Sequence, residues 1–425
     1  MEYFERNLLV ELKKWIGRRE IFAIRGPRQS GKSTLLLLIK QWLLNEKKIS
    51  EKNIIFVTFE DREVLDSFDE NSTEFIESYI SEKEKHYFFI DEAQYCKNIG
   101  QKLKLLYDTH KNVKFIITGS SSLELTQQTA KFLVGRVFLF ELLPLNFYEF
   151  LKVKNERLAN IFFNKNKEIK DFIFKKKSLK IPKKDIFVKE LEKYFDEYVL
   201  FGGYPEVVKA KTKEEKRIIL KNIFNTYVEK DILAFLRIKH EAKFRKVVQN
   251  LAFTNGGLIS YEKICTQHNI NFKELTEFID VLKQTYIIRF LRPFHKNLVT
   301  ELKKTPKVYF VDMGLRNQAI NNFNKLDMRE DSGRLAENFV LNELSHEETQ
   351  INFWRTTAKA EVDFILNQIP IEIKFSQFKK PKTTPSFTSF LKNYNPKKAI
   401  IATKNTWLQT KKHNSSIKFI PVIYF

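Results

Sequence analysis

The hydrophobic residues of the first 150 positions lie in short runs that end in polar residues. Four of these runs predict β-strands, at 20–25, 53–61, 86–95 and 113–125. The segment after the first run, STLLLLIKQWLL, instead predicts a helix. Because apolar strands that alternate with helices are typical of a parallel sheet covered on both faces, the pattern predicts an α/β domain.

A glycine-rich loop joins the first predicted strand to this helix. Its sequence, GPRQSGKS, fits the pattern GxxxxGK[ST] of a P-loop. The two glycines let the backbone wrap around phosphate oxygens, and Lys32 brings a positive charge to the β- and γ-phosphates. The Ser33 hydroxyl can bind Mg²⁺. The predicted nucleotide-binding residues are Gly26, Pro27, Arg28, Gln29, Ser30, Gly31, Lys32, Ser33 and Thr34.

Polar side chains end the third and fourth predicted strands. In HYFFIDEAQY the strand ends at Asp91, which matches the Walker B acid that holds Mg²⁺ through water. Glu92 follows directly and is placed to act as general base on the attacking water. Of Thr118, Ser120 and Ser121, one either senses the γ-phosphate or caps a helix. Guanine-specificity motifs such as NKxD are absent from the expected region, so we expect the nucleotide to be ATP.

Residues 241–311 have the pattern of a winged helix, with three helices followed by two alternating strands. The solvent side of the third helix carries Glu274, Glu277 and Asp280, which would repel DNA phosphates. The wing is better suited to DNA because it carries basic residues, namely Arg289, Arg292, Lys296, Lys303 and Lys304. The pattern therefore leaves two interpretations open, contact with DNA and packing against protein.

The last hundred residues predict a second α/β region. RLAENFVLNEL, residues 334–344, has the periodicity of an amphipathic helix, and INFWRT predicts a strand. Residues 360–376 predict a β-hairpin whose turn lies near Asn367 and Gln368.

This predicted hairpin carries a second group of candidate catalytic residues. Asp363 lies on its first strand, and Glu372 and Lys374 share one face of its second strand. This D…ExK spacing matches the restriction-endonuclease-like pattern. In that pattern two carboxylates hold Mg²⁺ at a scissile phosphate while the lysine favours formation of a hydroxide. Glu337 of the preceding helix can add a metal ligand. The alternative is a polar-faced hairpin that binds no metal.

Composition adds a strong positive charge to this picture. The 425 residues include 74 Lys and Arg against 52 Asp and Glu, a formal net charge of +22. Such a charge suits nucleic acid or an anionic membrane surface, but it also fits general solubility in a lysine-rich proteome. The Lys-rich stretch at 151–190 predicts a helical insertion. Two isolated cysteines indicate neither a zinc site nor a disulfide framework, and no apolar run is long enough for a membrane helix.

The motifs of the first 150 residues resemble those of prokaryotic AAA-fold ATP-binding proteins. These proteins share GPRxxGKST, a strand ending in DEAQ, and TGSSS. They also share a GR before a strand that runs into PLxFxEF, which stands here as GRVFLFELLPLNFYEF. The resemblance implies that Arg136 contacts the γ-phosphate, in cis or from a neighbouring subunit. It also implies a winged helix and a restriction-endonuclease-like region after the ATPase core, the latter often without activity.

We therefore expect a P-loop NTPase core with a parallel AAA-like sheet at 1–150 and a helical lid region at 151–237. A winged-helix-like module is expected at 238–315 and a restriction-endonuclease-like domain at 316–425. The expected function is an Mg²⁺-dependent ATPase switch coupled to a DNA-binding or nuclease-like C-terminal region. The alternative is a protein-coupled signalling or scaffold ATPase with an inactive nuclease-like domain. We expect ATP and Mg²⁺ as cofactors, DNA or a protein as partner, a homo-oligomer as one possible assembly, no membrane contact and a cytoplasmic location.

Overall fold

The computed structural model describes residues 4–81, 83–120, 131–175, 177–226, 241–294, 305–346 and 350–425. In these ranges the chain divides into two units. The first is Met1–Leu145 with Gln284–Tyr286, and the second is Asn146–Lys283 with Ile287–Phe425. Three of the predicted DNA-contacting lysines, Lys296, Lys303 and Lys304, lie outside the described residues, as do Ser121 and the side chain of Ser120.

A five-stranded parallel sheet forms the centre of the first unit, and it includes all four strands predicted from the apolar runs. Its strand order is β2-β3-β4-β1-β5. The strands are β1 (Ile21–Gly26), β2 (Ile54–Thr58), β3 (His86–Asp91), β4 (Val113–Ser120) and β5 (Val137–Glu141).

Helices cover both faces of this sheet because successive strand side chains point to opposite faces. On β1, Phe22 and Ile24 pack with α1 (Asn7–Trp15) and α2 (Lys32–Asn45). Ile21 and Ala23 belong to the hydrophobic core on the other face, against helices that follow β2 and β3. Those helices are α3 (Arg62–Glu70), α4 (Ser72–Glu77) and α5 (Ile99–Thr109).

Strand register brings the polar ends of three strands to one edge of the sheet. Ile24 of β1 lies opposite Thr118 of β4, and Ile90 of β3 lies opposite Ile117. Asp91, which ends β3, is therefore level with Thr118, and Gly26, which ends β1, lies two residues further along, opposite Ser120. Parallel strands place their carboxyl ends together, so this edge collects the loops that follow them.

An eight-stranded mixed sheet forms part of the second unit. Its strand order is β12-β13-β11-β10-β9-β8-β6-β7. The strands are β6 (Ile288–Pro293), β7 (Lys307–Phe310), β8 (Ile351–Arg355), β9 (Glu361–Leu366), β10 (Ile369–Lys374), β11 (Lys398–Thr403), β12 (Leu408–Lys412) and β13 (Ser415–Pro421). The predicted hairpin is confirmed as β9 and β10, and both turn residues, Asn367 and Gln368, have positive φ angles of 48° and 66°.

Eleven further helices are described in the second unit. They are α6 (Phe147–Lys154), α7 (Glu156–Phe174), α8 (Val188–Phe201), α9 (Pro205–Lys209), α10 (Lys213–Thr226), α11 (Glu241–Thr254), α12 (Tyr261–His268), α13 (Phe272–Gln284), α14 (Met313–Ala319), α15 (Ser332–Leu344) and α16 (Pro385–Tyr394). The Lys-rich stretch predicted at 151–190 is helical in α7 and in the ends of α6 and α8 that it includes, whereas the described residues between α7 and α8 are not helical. Across the described parts of both units, no helix combines the length and apolar character that a membrane crossing requires.

The region predicted as a winged helix shares its strands with the rest of the sheet. Its three predicted helices are present as α11, α12 and α13, and β6 pairs with β7 in antiparallel orientation. In addition β6 pairs with β8 in parallel orientation, so the sheet is continuous across the predicted boundary at residue 315. The predicted boundaries at residues 237 and 315 fall inside the second unit, and they stay predictions.

A buried carboxylate ties the start of α14 to the turn after α8. Asp312 accepts hydrogen bonds from the backbone N–H groups of Gly203, at 2.8 Å, and Leu315, at 2.9 Å. Gly202 has a positive φ of 76°, and a Cβ atom there would lie 2.3 Å from the Asp312 carboxylate. The tight turn predicted at this glycine pair thus requires glycine at position 202, because the Asp312 side chain leaves no space for a Cβ atom.

We predict that Gly202→Ala lowers the free energy of unfolding by at least about 2 kcal/mol, because it adds backbone strain and a clash with Asp312. Gly333→Ala is the matched control, since a Cβ atom at this helical position meets nothing within 4 Å. The control is expected to be neutral or slightly stabilising. Thermal unfolding followed by circular dichroism tests both variants, and equal midpoints would contradict the steric argument.

Candidate functional site

The loop between β1 and α2 takes its conformation from its two glycines. A Cβ atom at Gly26 would lie 2.1 Å from the backbone oxygen of Leu142, so only glycine fits at the end of β1. Gly31 has a φ of 95°, a conformation that other residues rarely adopt. The loop therefore folds back so that α2 begins at Lys32 with its amino-terminal N–H groups facing the loop.

Lys32 and Ser30 are buried polar residues of this loop. The Lys32 ammonium donates to the backbone oxygens of Gly26, at 3.1 Å, and Pro27, at 3.0 Å. The Ser30 hydroxyl has no hydrogen-bond partner within the described residues. The guanidinium of Arg6 donates to the backbone oxygen of Ser30 at 2.8 Å and thereby fixes the loop. No sequence motif singled out Arg6.

The carboxylate of Asp91 is held at the end of β3 by two donors. The Thr118 hydroxyl donates to Asp91 Oδ1. The backbone N–H of Glu92 donates to the same oxygen at 3.1 Å and to Thr118 Oγ1 at 3.3 Å. Among the three hydroxyl residues considered from the sequence, Thr118 is therefore the one described in contact with the acidic pair.

Glu92 adopts a left-handed backbone conformation, with φ 53° and ψ 44°. Such a conformation is strained for a residue other than glycine and often occurs at functional sites. The side-chain amide of Gln94 donates to Glu92 Oε2. Gln94, in the DEAQ stretch, is a positioning residue that the sequence reasoning did not single out, although its place two residues after Glu92 was visible.

These residues form a chemically suitable set for a nucleotide with Mg²⁺. Loop amides and Lys32 can neutralise phosphate oxygens, and the Ser33 hydroxyl is exposed at the start of α2. Asp91 is a buried carboxylate at the same edge of the sheet, and its second oxygen, Oδ2, is not used by Thr118 or Glu92. A P-loop serine and a strand-end aspartate are the usual protein contacts to nucleotide-bound Mg²⁺.

Arg136 does not lie at this edge. It comes directly before β5, and Val137 is paired with Ile21 at the start of β1, about five residues from Gly26. At about 3.3 Å per residue this separates Arg136 from the P-loop by roughly 16 Å. Its guanidinium forms a paired hydrogen bond with Asp108, at 2.9 and 3.2 Å. This position does not favour the predicted cis contact with the γ-phosphate, and both that contact and the contact from a neighbouring subunit stay predictions.

The residues of the predicted D…ExK site come together in the second unit around a lysine. The ammonium of Lys307, on β7, lies 3.0 Å from Glu337 Oε1, 2.7 Å from Glu361 Oε1 and 3.8 Å from Asp363 Oδ1. Its side chain is 2% exposed. Lys307 and Glu361 were not predicted, because they lie outside the motif. We call Lys307, Glu337, Glu361, Asp363, Glu372 and Lys374 the acid–lysine cluster.

Most carboxylate oxygens of the acid–lysine cluster already have protein donors. The Tyr309 hydroxyl donates to Glu337 Oε1, and the backbone N–H of Ile373 donates to Asp363 Oδ2 at 2.7 Å. Lys374 lies 2.8 Å from Glu372 Oε1. Among the described residues, no three His, Cys, Asp or Glu side chains are arranged to hold a metal ion. The Lys307 ammonium lies beside Glu337, Glu361 and Asp363, so these three acids do not form an open carboxylate site for Mg²⁺. Glu372 Oε2 is buried without a hydrogen-bond partner among the described residues, and metal binding by the D…ExK residues stays a prediction.

Burial controls the protonation of the acid–lysine cluster. Burial raises the pKa of Glu337 to about 7, and the charge of Asp363 adds to the rise while Lys307 opposes it. Burial likewise raises the pKa of Glu372 to about 7, and the negative charge of Asp363 adds to this rise. Burial lowers the pKa of Lys307, but its carboxylate neighbours outweigh that effect and raise it overall. The cluster is therefore a compensated group of charges built around a protonated lysine.

Comparison with known protein families supports the assignment of the first unit. Residues 18–151 match the family model described as an AAA domain. Residues 192–326 and 332–424 match two models, each described as a domain of unknown function, DUF8612 and DUF4143. The chain thus carries an AAA-type P-loop ATPase domain, for which ATP binding and hydrolysis are the expected activities.

Similar full-length proteins have no assigned function. An uncharacterized protein of Haemophilus influenzae is 28% identical over 98% of this chain and 96% of its own length. An uncharacterized protein of Methanocaldococcus jannaschii is 29% identical over 82% of this chain and 72% of its own length. Among solved structures, the Walker-type ATPase PABY2304 of Pyrococcus abyssi has 14% identity and a TM-score of 0.41. The match covers 75% of this chain and 96% of the P. abyssi chain, and a TM-score this low does not establish a shared fold.

We predict that Thr118→Val lowers ATP turnover about tenfold, because it removes a hydrogen bond to the Asp91 carboxylate. Thr118→Ser keeps the hydroxyl and is the matched control, with turnover close to that of the wild type. Phosphate release at saturating ATP measures the effect, and ATP affinity is measured separately. Equal turnover in the two variants would show that this hydroxyl has no role in hydrolysis.

Proposed function

We propose that this protein is an Mg²⁺-dependent ATPase that acts as a nucleotide switch for its DNA-binding second unit. The observation that carries the proposal is the group at the carboxyl edge of the first sheet. There Glu92 is held in a strained conformation beside Asp91 and Thr118, at the strand ends that also carry the P-loop. This arrangement supports hydrolysis of ATP as well as its binding.

Each residue of this site has one proposed task. The loop amides and Lys32 bind the β- and γ-phosphates, and Ser33 and Asp91 hold the Mg²⁺ of the nucleotide. When bound, Mg²⁺ neutralises charge that develops on the phosphate oxygens. Glu92 orients the attacking water and accepts its proton on the carboxylate, whose other oxygen Gln94 holds by its hydrogen bond. Arg6 acts indirectly, by fixing the backbone of Ser30.

We predict that Glu92→Gln retains ATP binding and lowers turnover about 10²- to 10⁴-fold, because an amide cannot accept the proton of water. Lys32→Ala is expected to lose both binding and turnover. Glu51→Gln is the control, since Glu51 is an exposed acid that precedes β2 at the opposite edge of the sheet. Binding of a fluorescent ATP analogue and phosphate release measure the two properties. Full turnover in Glu92→Gln would refute the assignment of the base.

Coupling to DNA is the second part of the proposal. It is supported by the formal net charge of +22 and by the basic residues of the second unit. We expect ATP turnover of the wild-type protein to change when DNA is added. If DNA changes the affinity for ATP, linkage requires that ATP change the affinity for DNA by the same factor. If DNA does not change ATP turnover, the proposed coupling to DNA is refuted, whereas the assignment as an ATPase is unaffected.

A second candidate function is a protein-coupled ATPase whose nuclease-like region does not cut. The observation that favours it over a DNA-cleaving enzyme is the acid–lysine cluster. Its central position is taken by the Lys307 ammonium. Tyr309 donates to the same oxygen of Glu337 that Lys307 contacts, and Arg355 donates to the second oxygen of Glu361. With these partners the cluster supports a structural role.

We predict that Lys307→Met lowers the free energy of unfolding by about 3–5 kcal/mol, because it leaves buried carboxylates without their positive partner. Adding Glu337→Gln and Glu361→Gln to this variant is expected to restore part of the loss. Chemical denaturation measures both changes.

The wild-type protein is expected to leave plasmid DNA intact with Mg²⁺ or Mn²⁺. If the wild-type protein cleaves the plasmid and Asp363→Asn does not, the protein is instead an active nuclease.

A further inference from the structure

A cavity of about 540 Å³ in the second unit has six lysines among its thirteen lining residues. The charged lining residues come from α8, from the segment at the start of α10, and from the loops near residues 325 and 404. The six lysines are Lys193, Lys211, Lys213, Lys216, Lys325 and Lys404, and the three acids are Asp196, Glu197 and Asp327. The volume falls within the range of small-molecule sites, and the excess of positive charge favours an anionic ligand.

Three of the six lysines at this cavity form no ion pair within the described residues. Lys216, whose side chain is 6% exposed, is paired with Glu197, and Glu197 also lies 3.2 Å from Lys154. By contrast, within the described residues the ammonium groups of Lys193, Lys213 and Lys325 form no ion pair. Exposed lysines without partners keep their capacity to neutralise phosphates.

The positive charge continues from the cavity along α10. Lys213, Arg217 and Lys221 are spaced four residues apart, so their side chains share one face of the helix. All three are exposed, and they line a second concavity of about 790 Å³ that has Lys213 in common with the first. Four residues advance an α-helix by about 6 Å, so the three cations form a row about 12 Å long. Such a row can follow the phosphates of one strand.

Aromatic rings at the cavity suit an unstacked base. Phe375 is partly exposed there, with the ammonium of Lys404 5.6 Å from its ring centre. The buried ring of Phe201 also lines the cavity and stacks on Phe323 at 5.5 Å. In addition Asp196 and Asp327 offer carboxylate acceptors for the exocyclic amino group of a base. A phosphate would be repelled by these two acids, whereas an uncharged base would not.

We propose that Lys193, Lys211, Lys213, Arg217, Lys221, Lys325 and Lys404 form a basic groove that binds single-stranded nucleic acid. The phosphates follow Lys213, Arg217 and Lys221, and one base enters the cavity against Phe375. Single strands fit better than duplexes because duplex bases are stacked and paired and cannot enter a cavity of this kind. This inference rests on the proposed coupling to DNA and names the surface that carries it.

The test is fluorescence anisotropy of the full-length protein with a labelled 20-nucleotide single-stranded DNA, from about 50 to 200 mM KCl. The variant combines Lys213→Gln, Arg217→Gln and Lys221→Gln. We expect it to lose affinity about tenfold or more and to reduce the slope of log affinity against log salt by about 2, from about 0.7 per lost phosphate contact. The control combines Lys167→Gln, Lys180→Gln and Lys183→Gln, which remove the same charge from exposed positions outside the groove. It should match the wild type.

The base-binding part has its own comparison. Phe375→Leu keeps an apolar side chain but removes the ring, so it should weaken binding of the oligonucleotide about fivefold or more, as expected for one lost stacking contact. Binding of an abasic strand of equal length should not change. If both strands lose affinity equally, the cavity does not bind a base. Circular dichroism and ATP turnover without DNA establish that each variant is folded.

The possible failures are distinguishable. If the wild type binds single strands but both triple variants lose affinity equally, only diffuse charge is involved, and the groove is refuted while coupling to DNA stands. If the wild type binds duplex more tightly than single strands, the single-strand assignment is wrong. If it binds neither form, the inference fails together with the DNA part of the proposed function. The ATPase assignment is tested independently by Glu92→Gln.

Discussion

The parallel register of β1, β3 and β4 is the constraint on which the nucleotide site depends. Because Thr118 lies opposite Ile24 and next to the strand end at Asp91, one hydroxyl reaches the carboxylate of the neighbouring strand. A shift of one residue would turn Thr118 to the other face of the sheet and break this contact. The apolar strand residues that pack on the two faces fix the register, so the hydrophobic core determines the geometry of the catalytic edge.

The two groups of acidic residues illustrate opposite uses of a carboxylate. At the edge of the first sheet, Asp91 is held by two donors while its second oxygen remains available at the P-loop edge. Within the second unit, the buried Glu337 and the partly exposed Glu361 both pair with the buried ammonium of Lys307. A charge that is compensated inside the protein contributes to folding, whereas a charge held at a loop edge is available to a ligand.

Much of the first unit could be predicted from the sequence because its determinants are local. The strands, the P-loop and the acidic pair each lie within one short segment. The place of Lys307 could not be predicted, because it depends on pairing between β6, β7 and β8, whose residues are far apart in the chain. Arg136 is different, since it lies just before β5 at the amino end of that strand, and its γ-phosphate contact was implied by the family resemblance alone.

Continuity of the second sheet also has an evolutionary consequence. Because β6 pairs with both β7 and β8, the segments on either side of residue 315 supply neighbouring strands of one sheet. Cutting between them would expose the edge of β8, which invites aggregation. Recombination at this point would therefore be selected against. The two segments are expected to be inherited together, as one evolutionary module, in spite of the two patterns that distinguish them in the sequence.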